Sequence, residues 1–185
     1  MKKLMMIAAM MLMSIGAFAQ NEVGQFTLKP MAGVNLSVVT KFQESKMRVG
    51  AVVGAEGEYG IAKNFSVTAG LQYSMQGAKE VYGKSFKLDY INVPILANYY
   101  VIPGLAIKVG MQPSFKVSSD ITLQGENGEP YNPNGFYFSV PAGVSYEYSN
   151  FVVDARYCFG ISPICSPGDS KHNWVSITLG YKFPL

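Results

Sequence analysis

Charge is scarce in this 185-residue chain: 15% of its residues are Asp, Glu, Lys or Arg, well below the quarter usual in a water-soluble domain. Fifteen basic residues against 12 acidic ones leave a net +3. That is too little for a polybasic footprint, so nucleic acid is excluded as a partner. One His and two Cys are too few for a structural metal centre, and no cofactor motif is present. No apolar run reaches the ~20 residues that a membrane-spanning helix needs, and no stretch has the three-to-four spacing of an amphipathic helix. Apolar and aromatic residues, by contrast, are plentiful at 49% and 13%, which rules out intrinsic disorder. The length suits one domain.

The first 19 residues read as a targeting segment. Lys2 and Lys3 form a positive start, Leu4 to Ile15 an apolar stretch, and Ala17-Phe18-Ala19 a small-x-small cleavage site. The expectation is a signal peptide at 1–19 and a single barrel domain at 20–185, without lipoprotein processing, since no Cys follows Ala19.

The rest alternates with period two, the signature of strands with one apolar and one polar face. Phe26, Leu28, Pro30, Ala32, Val34, Leu36 and Val38 interleave with Thr27, Lys29, Met31, Gly33, Asn35 and Ser37. The pattern recurs over Arg48–Tyr59, Phe65–Met75, Tyr90–Tyr99, Leu105–Phe115, Phe136–Tyr148, Phe151–Gly160 and Trp174–Phe183. The expected fold is therefore all-β, with eight strands in antiparallel up-and-down order.

Eight such strands suit either a soluble barrel with its apolar face inward or a transmembrane barrel with that face toward lipid. The polar face favours the second, because it mixes charges with Gly and Ser, as a narrow tube requires. Connections alternate too. Residues 60–64, 101–104 and Ser149-Asn150 are short, whereas Thr40–Met47, Gly77–Ser85, Ser118–Gly135 and Ser162–Asn173 are long. Short periplasmic turns and long external loops are the outer-membrane arrangement. Aromatic residues also gather at the short turns: Phe26, Tyr59, Phe65, Tyr99, Tyr100, Tyr148, Phe151 and Phe183. They are expected to form a periplasmic girdle, with Phe115, Phe136, Phe138, Tyr157 and Phe159 in its external counterpart. The expected location is the cell outer membrane, in contact with its lipids.

The signal segment, the Tyr90–Tyr100 strand YINVPILANYY and the closing Leu179–Phe183 LGYKF resemble the PorT-like outer-membrane β-barrel family over essentially the whole mature chain. The chain end, with Leu179, Tyr181, Phe183 and Leu185 on one face, resembles the signal read by outer-membrane assembly machinery, although Pro184 and a terminal Leu depart from it. The resemblance implies location and fold, and for some relatives an association with protein export.

Chemistry-bearing residues are few. His172, near Asp169, Ser170 and Lys171, admits an acyl-transfer reading, but sequence proximity is no triad geometry, and the chain reads as non-enzymatic. Cys158 and Cys165 are either disulfide-bonded or both free. On the polar face, Arg48, Lys108, Arg156 and Lys182 are expected to pair with Glu56, Glu58, Glu147 and Asp154, since buried charges need partners and an eight-stranded lumen is normally filled. Lys41, Lys46, Lys79, Lys84 and Lys87, with Arg48, make a basic rim that either contacts lipopolysaccharide phosphates or is simply solvated. The expected role is envelope structure or surface interaction with a protein partner by a monomer, chiefly through Ser118–Gly135. A narrow channel, a secretion-associated barrel and a lipid-modifying enzyme are the alternatives.

Overall fold

The computed structural model describes residues 23–39, 48–81, 84–121, 132–162, 165–166 and 172–185. The signal segment and the loop residues Lys41 and Lys46 lie outside them.

All regular structure among these residues is β. The strands are β1 (Phe26–Val39), β2 (Arg48–Ala62), β3 (Phe65–Val81), β4 (Lys84–Asn92), β5 (Ile95–Ile102), β6 (Leu105–Ile121), β7 (Asn132–Pro133), β8 (Phe136–Tyr148), β9 (Phe151–Gly160), β10 (Cys165–Ser166), β11 (His172–Tyr181) and β12 (Phe183–Pro184). Each stave pairs antiparallel with its neighbour, and β1 pairs with both β2 and β11. The sheet therefore closes into a barrel of eight staves, in which β4 and β5 make one stave and β11 and β12 another. Closure leaves the barrel sheet without an open edge strand among the described residues, the condition for β structure in lipid.

Two staves are interrupted at proline. Pro94 has no N–H to give, yet Gln72↔Asn92 and Ala69↔Ile95 keep one register across the gap. Gly70 N–H donates to the Pro94 carbonyl at 3.0 Å and Val93 N–H to that of Pro113 at 2.9 Å, which bridge the break. At the closing seam the ladder lapses beside Pro30, between Met31↔Gly180 and Leu28↔Phe183.

The short turns are tighter than the sequence pattern indicates. Lys63-Asn64, Pro103-Gly104 and Ser149-Asn150 are two-residue reversals. Gly104, at φ 82, follows proline as a type II turn demands. The expected long connections, by contrast, are partly strand. β3 runs to Val81 and β4 starts at Lys84, so Gly77–Ser85 is mostly paired backbone. β6 continues to Ile121, and β7 pairs with β10, which joins the third and fourth loops. The ladder hydrogen bonds persist past the point where apolar alternation fades, because backbone pairing does not require an apolar face.

The expected faces are observed. Leu71, Ile107, Val109, Met111, Val144, Val153 and Leu179 are exposed around the outer wall, while Lys29, Glu56, Thr68, Ser74, Asn98 and Asp154 are buried inside it. Phe151 and Phe159 on β9 are eight residues apart. That corresponds to about 20 Å along the barrel axis for a strand tilted ~40°, close to the height of a lipid-facing band. Around the lower ring, Phe151 meets Tyr181 edge-on at 5.1 Å and Tyr181 meets Phe183 at 4.7 Å. In the upper ring, Phe115 meets Phe136 at 5.5 Å and Tyr157 meets Phe159 at 4.4 Å. Tyr100 is not part of the girdle. It faces the lumen and is buried, one residue out of phase with Tyr99.

Candidate functional site

Among the described residues, the lumen is the one place where chemically distinctive side chains converge. Two ion clusters cross it, stacked along the axis. The central one is built on Arg156 of β9, opposite Gly143 on β8. A Cβ at position 143 would lie 2.2 Å from the Ala155 carbonyl oxygen and 2.7 Å from Arg156 Cα, so the wall there tolerates only glycine. From this position the guanidinium reaches across to β2. Its Nη1 and Nη2 donate to Glu56 Oε1 and Oε2 at 2.6 and 2.9 Å. Nε and Nη2 also donate to Asp154 Oδ1 and Oδ2 at 2.6 and 2.7 Å. One planar fork thus binds two carboxylates, a geometry that arginine alone offers.

Two lysines complete the cluster. Lys29 Nζ is 2.9 Å from Glu56 Oε2 and 3.8 Å from Asp154 Oδ2, and Lys108 Nζ is 2.9 Å from Asp154 Oδ2. Gln72 Nε2 donates to Glu56 Oε1 at 2.8 Å. Three cations therefore face two carboxylates, all five residues being 4% exposed or less.

The second cluster sits toward the short turns. Lys182 Nζ is 2.6 Å from Glu147 Oε2 and 3.2 Å from Glu58 Oε2. Tyr100 Oη and Ser66 Oγ each donate to Glu58 Oε1 at 2.6 Å. Lys182 lies in the gap between β11 and β12, where the seam ladder lapses. Asn150, in the β8–β9 turn, holds its backbone from both sides. The Asn150 carbonyl accepts from Lys182 N–H at 2.7 Å and its Nδ2 donates to the Lys182 carbonyl at 2.8 Å.

One cation here faces two carboxylates, the reverse of the central excess. Together the clusters contain four basic and four acidic side chains, drawn with their hydrogen-bonding partners from all eight staves. A charge that no partner offset would cost several kcal/mol to bury, and the balance keeps a closed lumen affordable to the fold.

Seven of the eight residues expected in the interior network occupy it: Glu56, Glu58, Lys108, Glu147, Asp154, Arg156 and Lys182. The Arg48 side chain lies outside the described residues. Lys29, which shares the polar parity and stands opposite Glu56 in the β1–β2 register, also belongs to the network. Tyr100 was hidden from sequence reasoning by the run Tyr99-Tyr100, in which only register decides which ring faces inward.

The other expectations fare differently. Cys158 is a free, buried thiol facing the lumen, so the bridge to Cys165 is not formed. The Cys165 side chain is outside the described residues. His172 pairs through its backbone with Val39, and its side chain, with Asp169, Ser170 and Lys171, is likewise outside them. So are the side chains of the basic rim, Lys79, Lys84 and Lys87. Among the described residues no three His, Cys, Asp or Glu gather to hold a metal.

The closed antiparallel barrel agrees with comparisons to known proteins. Residues 18–166 match the family model described as outer membrane protein beta-barrel domain. No curated protein matches the chain in sequence. Among solved structures, Ail, the attachment invasion locus protein of Yersinia pestis, shares 17% identity at a TM-score of 0.54, covering 88% of this chain and 100% of that one. Neisserial surface protein A shares 16% identity at a TM-score of 0.57, covering 85% and 97%. OprG from Pseudomonas aeruginosa shares 14% identity at 0.50, covering 90% and 99%. At such identities the likeness is one of fold. Taken with an apolar band that only lipid can cover, the matched family model establishes that this chain is an outer-membrane protein and belongs to the outer membrane protein β-barrel domain family.

Proposed function

We propose that the protein is a non-enzymatic barrel whose transmembrane part is an occluded scaffold and whose external loops act in envelope structure or surface interaction. One observation carries this reading: ion pairs contributed from around the whole wall cross the lumen at two levels. Moving them aside to admit a hydrated solute would strand buried charges at several kcal/mol each. The test is reconstitution in planar bilayers. The purified protein is expected to show no sustained conductance, and reproducible solute-permeable channels would overturn the proposal.

Within this reading the barrel is monomeric, follows a cleaved signal at 1–19 and is inserted by the outer-membrane assembly machinery. Lys41, Lys46, Lys79, Lys84 and Lys87 contact lipopolysaccharide phosphates, and a surface or envelope protein binds the external loops. Neutralising the five lysines is expected to weaken lipopolysaccharide binding, and unchanged binding would remove that contact from the proposal. The resemblance of Tyr90–Tyr100 and Leu179–Phe183 to PorT-like barrels favours a second reading, a role in protein export. Its test is the loss of exported surface proteins on deletion.

A further inference from the structure

The outer wall carries a charge that an apolar band does not account for. Among the strand residues whose side chains are described, Asp89 is the only charged one with lipid-facing parity. It shares that face with Ile91 on its own strand and with Met75, its register partner on β3, both exposed. Its depth follows from the ladder. Strands tilted ~40° set each successive neighbour in a hydrogen-bonded row ~3 Å lower, and the row Phe136, Phe115, Ile91 descends in this way from β8 through β6 to β4. Asp89, two residues up from Ile91, regains ~5 Å and stands level with Phe136 in the upper aromatic ring.

Two neighbours bring oxygen atoms to this carboxylate. The Tyr73 hydroxyl donates to Asp89 Oδ2 at 2.9 Å. On β6 the register slips between Asp89↔Ser118 and Tyr90↔Lys116, which makes Val117 the extra residue of a bulge. A bulge re-aims the side chains that follow it. Without it Ser118 would share the inward parity of Ser114 and Lys116; with it Ser118 stands exposed beside Asp89 on the outer face. Carboxylate, phenol and hydroxyl thus meet on accessible surface at the headgroup boundary. No cation among the described residues pairs with Asp89, and a charge held on a membrane-facing wall calls for a partner.

We propose that Asp89, Tyr73 and Ser118 bind the primary ammonium of an aminolipid headgroup. An ammonium presents three N–H donors. The wall presents three acceptors: the Asp89 carboxylate, the Tyr73 hydroxyl oxygen, whose own proton goes to Asp89, and Ser118 Oγ. Asp89 also supplies the opposite charge, which strengthens the bond. The occupant is a lipid and not a protein lysine, because the upper aromatic ring marks the level at which headgroups border the wall. The site needs no open lumen and stands apart from the role of the loops.

Folded protein in detergent is titrated with phosphatidylethanolamine or phosphatidylcholine of identical acyl chains, and retained lipid is counted by native mass spectrometry. The two headgroups share phosphate and net charge, but the methylated nitrogen of choline has no N–H to donate. The expected preference for phosphatidylethanolamine is about tenfold, as one hydrogen bond to a charged group supplies. Asp89→Asn should bring the two lipids close to parity, and Tyr73→Phe and Ser118→Ala should each reduce the preference, all three retaining heat-modifiable gel migration. Equal retention of both lipids by the wild type, or a preference that survives in Asp89→Asn, would overturn the proposal. So would Asp89-dependent retention of phosphatidylglycerol that requires Mg2+, which would assign the carboxylate to a metal bridge instead. Should Asp89→Asn fail to fold, Ser118→Ala decides: an undiminished preference refutes the site, and a diminished one supports it.

Discussion

Replacing either end of the central ion pair should destabilise the barrel, but the two ends should not cost the same. Arg156→Met removes one of three cations and leaves Lys29 on Glu56 and Lys108 on Asp154, each at 2.9 Å. Within the central cluster two cations then face two carboxylates, although the lumen as a whole carries one carboxylate in excess, so the cost is mainly the lost fork of four hydrogen bonds, about 3 kcal/mol, the low end for breaking a buried pair. Glu56→Gln leaves three cations around Asp154 alone. Lys29 Nζ and Arg156 Nη2 each lie 2.9 Å from Glu56 Oε2, so they stay close once its charge is gone. Two such charges ~5 Å apart at an effective dielectric near 20 repel by about 3 kcal/mol. Relaxation offsets part of this, and the expected cost of Glu56→Gln is about 5 kcal/mol, the high end of the same range. The double variant should cost less than the sum of the singles by about 1–3 kcal/mol. The assay is guanidinium unfolding in detergent, followed by Trp174 emission and by the heat-modifiable gel shift. If Glu56→Gln proves milder than Arg156→Met, the charge reasoning is wrong.

Three further perturbations follow from the geometry. Tyr100→Phe removes the hydroxyl that donates to Glu58 at 2.6 Å and should cost about 1.5–3 kcal/mol, as bonds to charged groups do; the same unfolding assay reads it. Ser149, at φ 54, is the first residue of the Ser149-Asn150 hairpin turn, a position that favours glycine, so Ser149→Gly should raise stability by roughly 0.5–1 kcal/mol. Gly143→Val cannot be accommodated, with a Cβ 2.2 Å from the Ala155 oxygen, and should sharply reduce the folded, heat-modifiable fraction on refolding into lipid vesicles.

Much of the fold was legible because a barrel wall obeys one strict rule. Side chains alternate faces, and a one-residue slip exchanges them all. The parity of Phe26, Val49, Leu71, Ile107 and Val153 therefore decided, without any tertiary information, which residues meet lipid. Loop lengths were less legible. The strand extension through Gly77–Val81 rests on backbone pairing with β4, and backbone hydrogen bonds leave no trace in side-chain hydropathy. The joining of the third and fourth loops by β7 and β10 was illegible for the same reason: two residues from each side carry no periodicity.

The site was legible as a composition and not as a set of pairs. Parity put Lys29 and Arg48 on the same polar face of adjacent strands, but it does not give height. Height follows from register, which sets Lys29 against Glu56 and carries Arg48 up to Ser37 near the external end. Tyr100 shows the converse. Its neighbour Tyr99 belongs to the interface, and an aromatic pair at a turn suggests a girdle twice over, yet alternation requires one of the two to turn inward. There its hydroxyl donates to Glu58, and Lys182 Nζ lies 3.3 Å away as a donor to it. Neutrality of the two clusters together, rather than of each, has a structural consequence. An excess of one cation in the centre and one carboxylate below attract each other along the axis. The clusters therefore favour one another's presence, and an intermediate that formed only one would carry an uncompensated charge in the lumen. Closure of the seam at Lys182 supplies the last cation, so interior balance is reached only when β12 is in place and the barrel is complete.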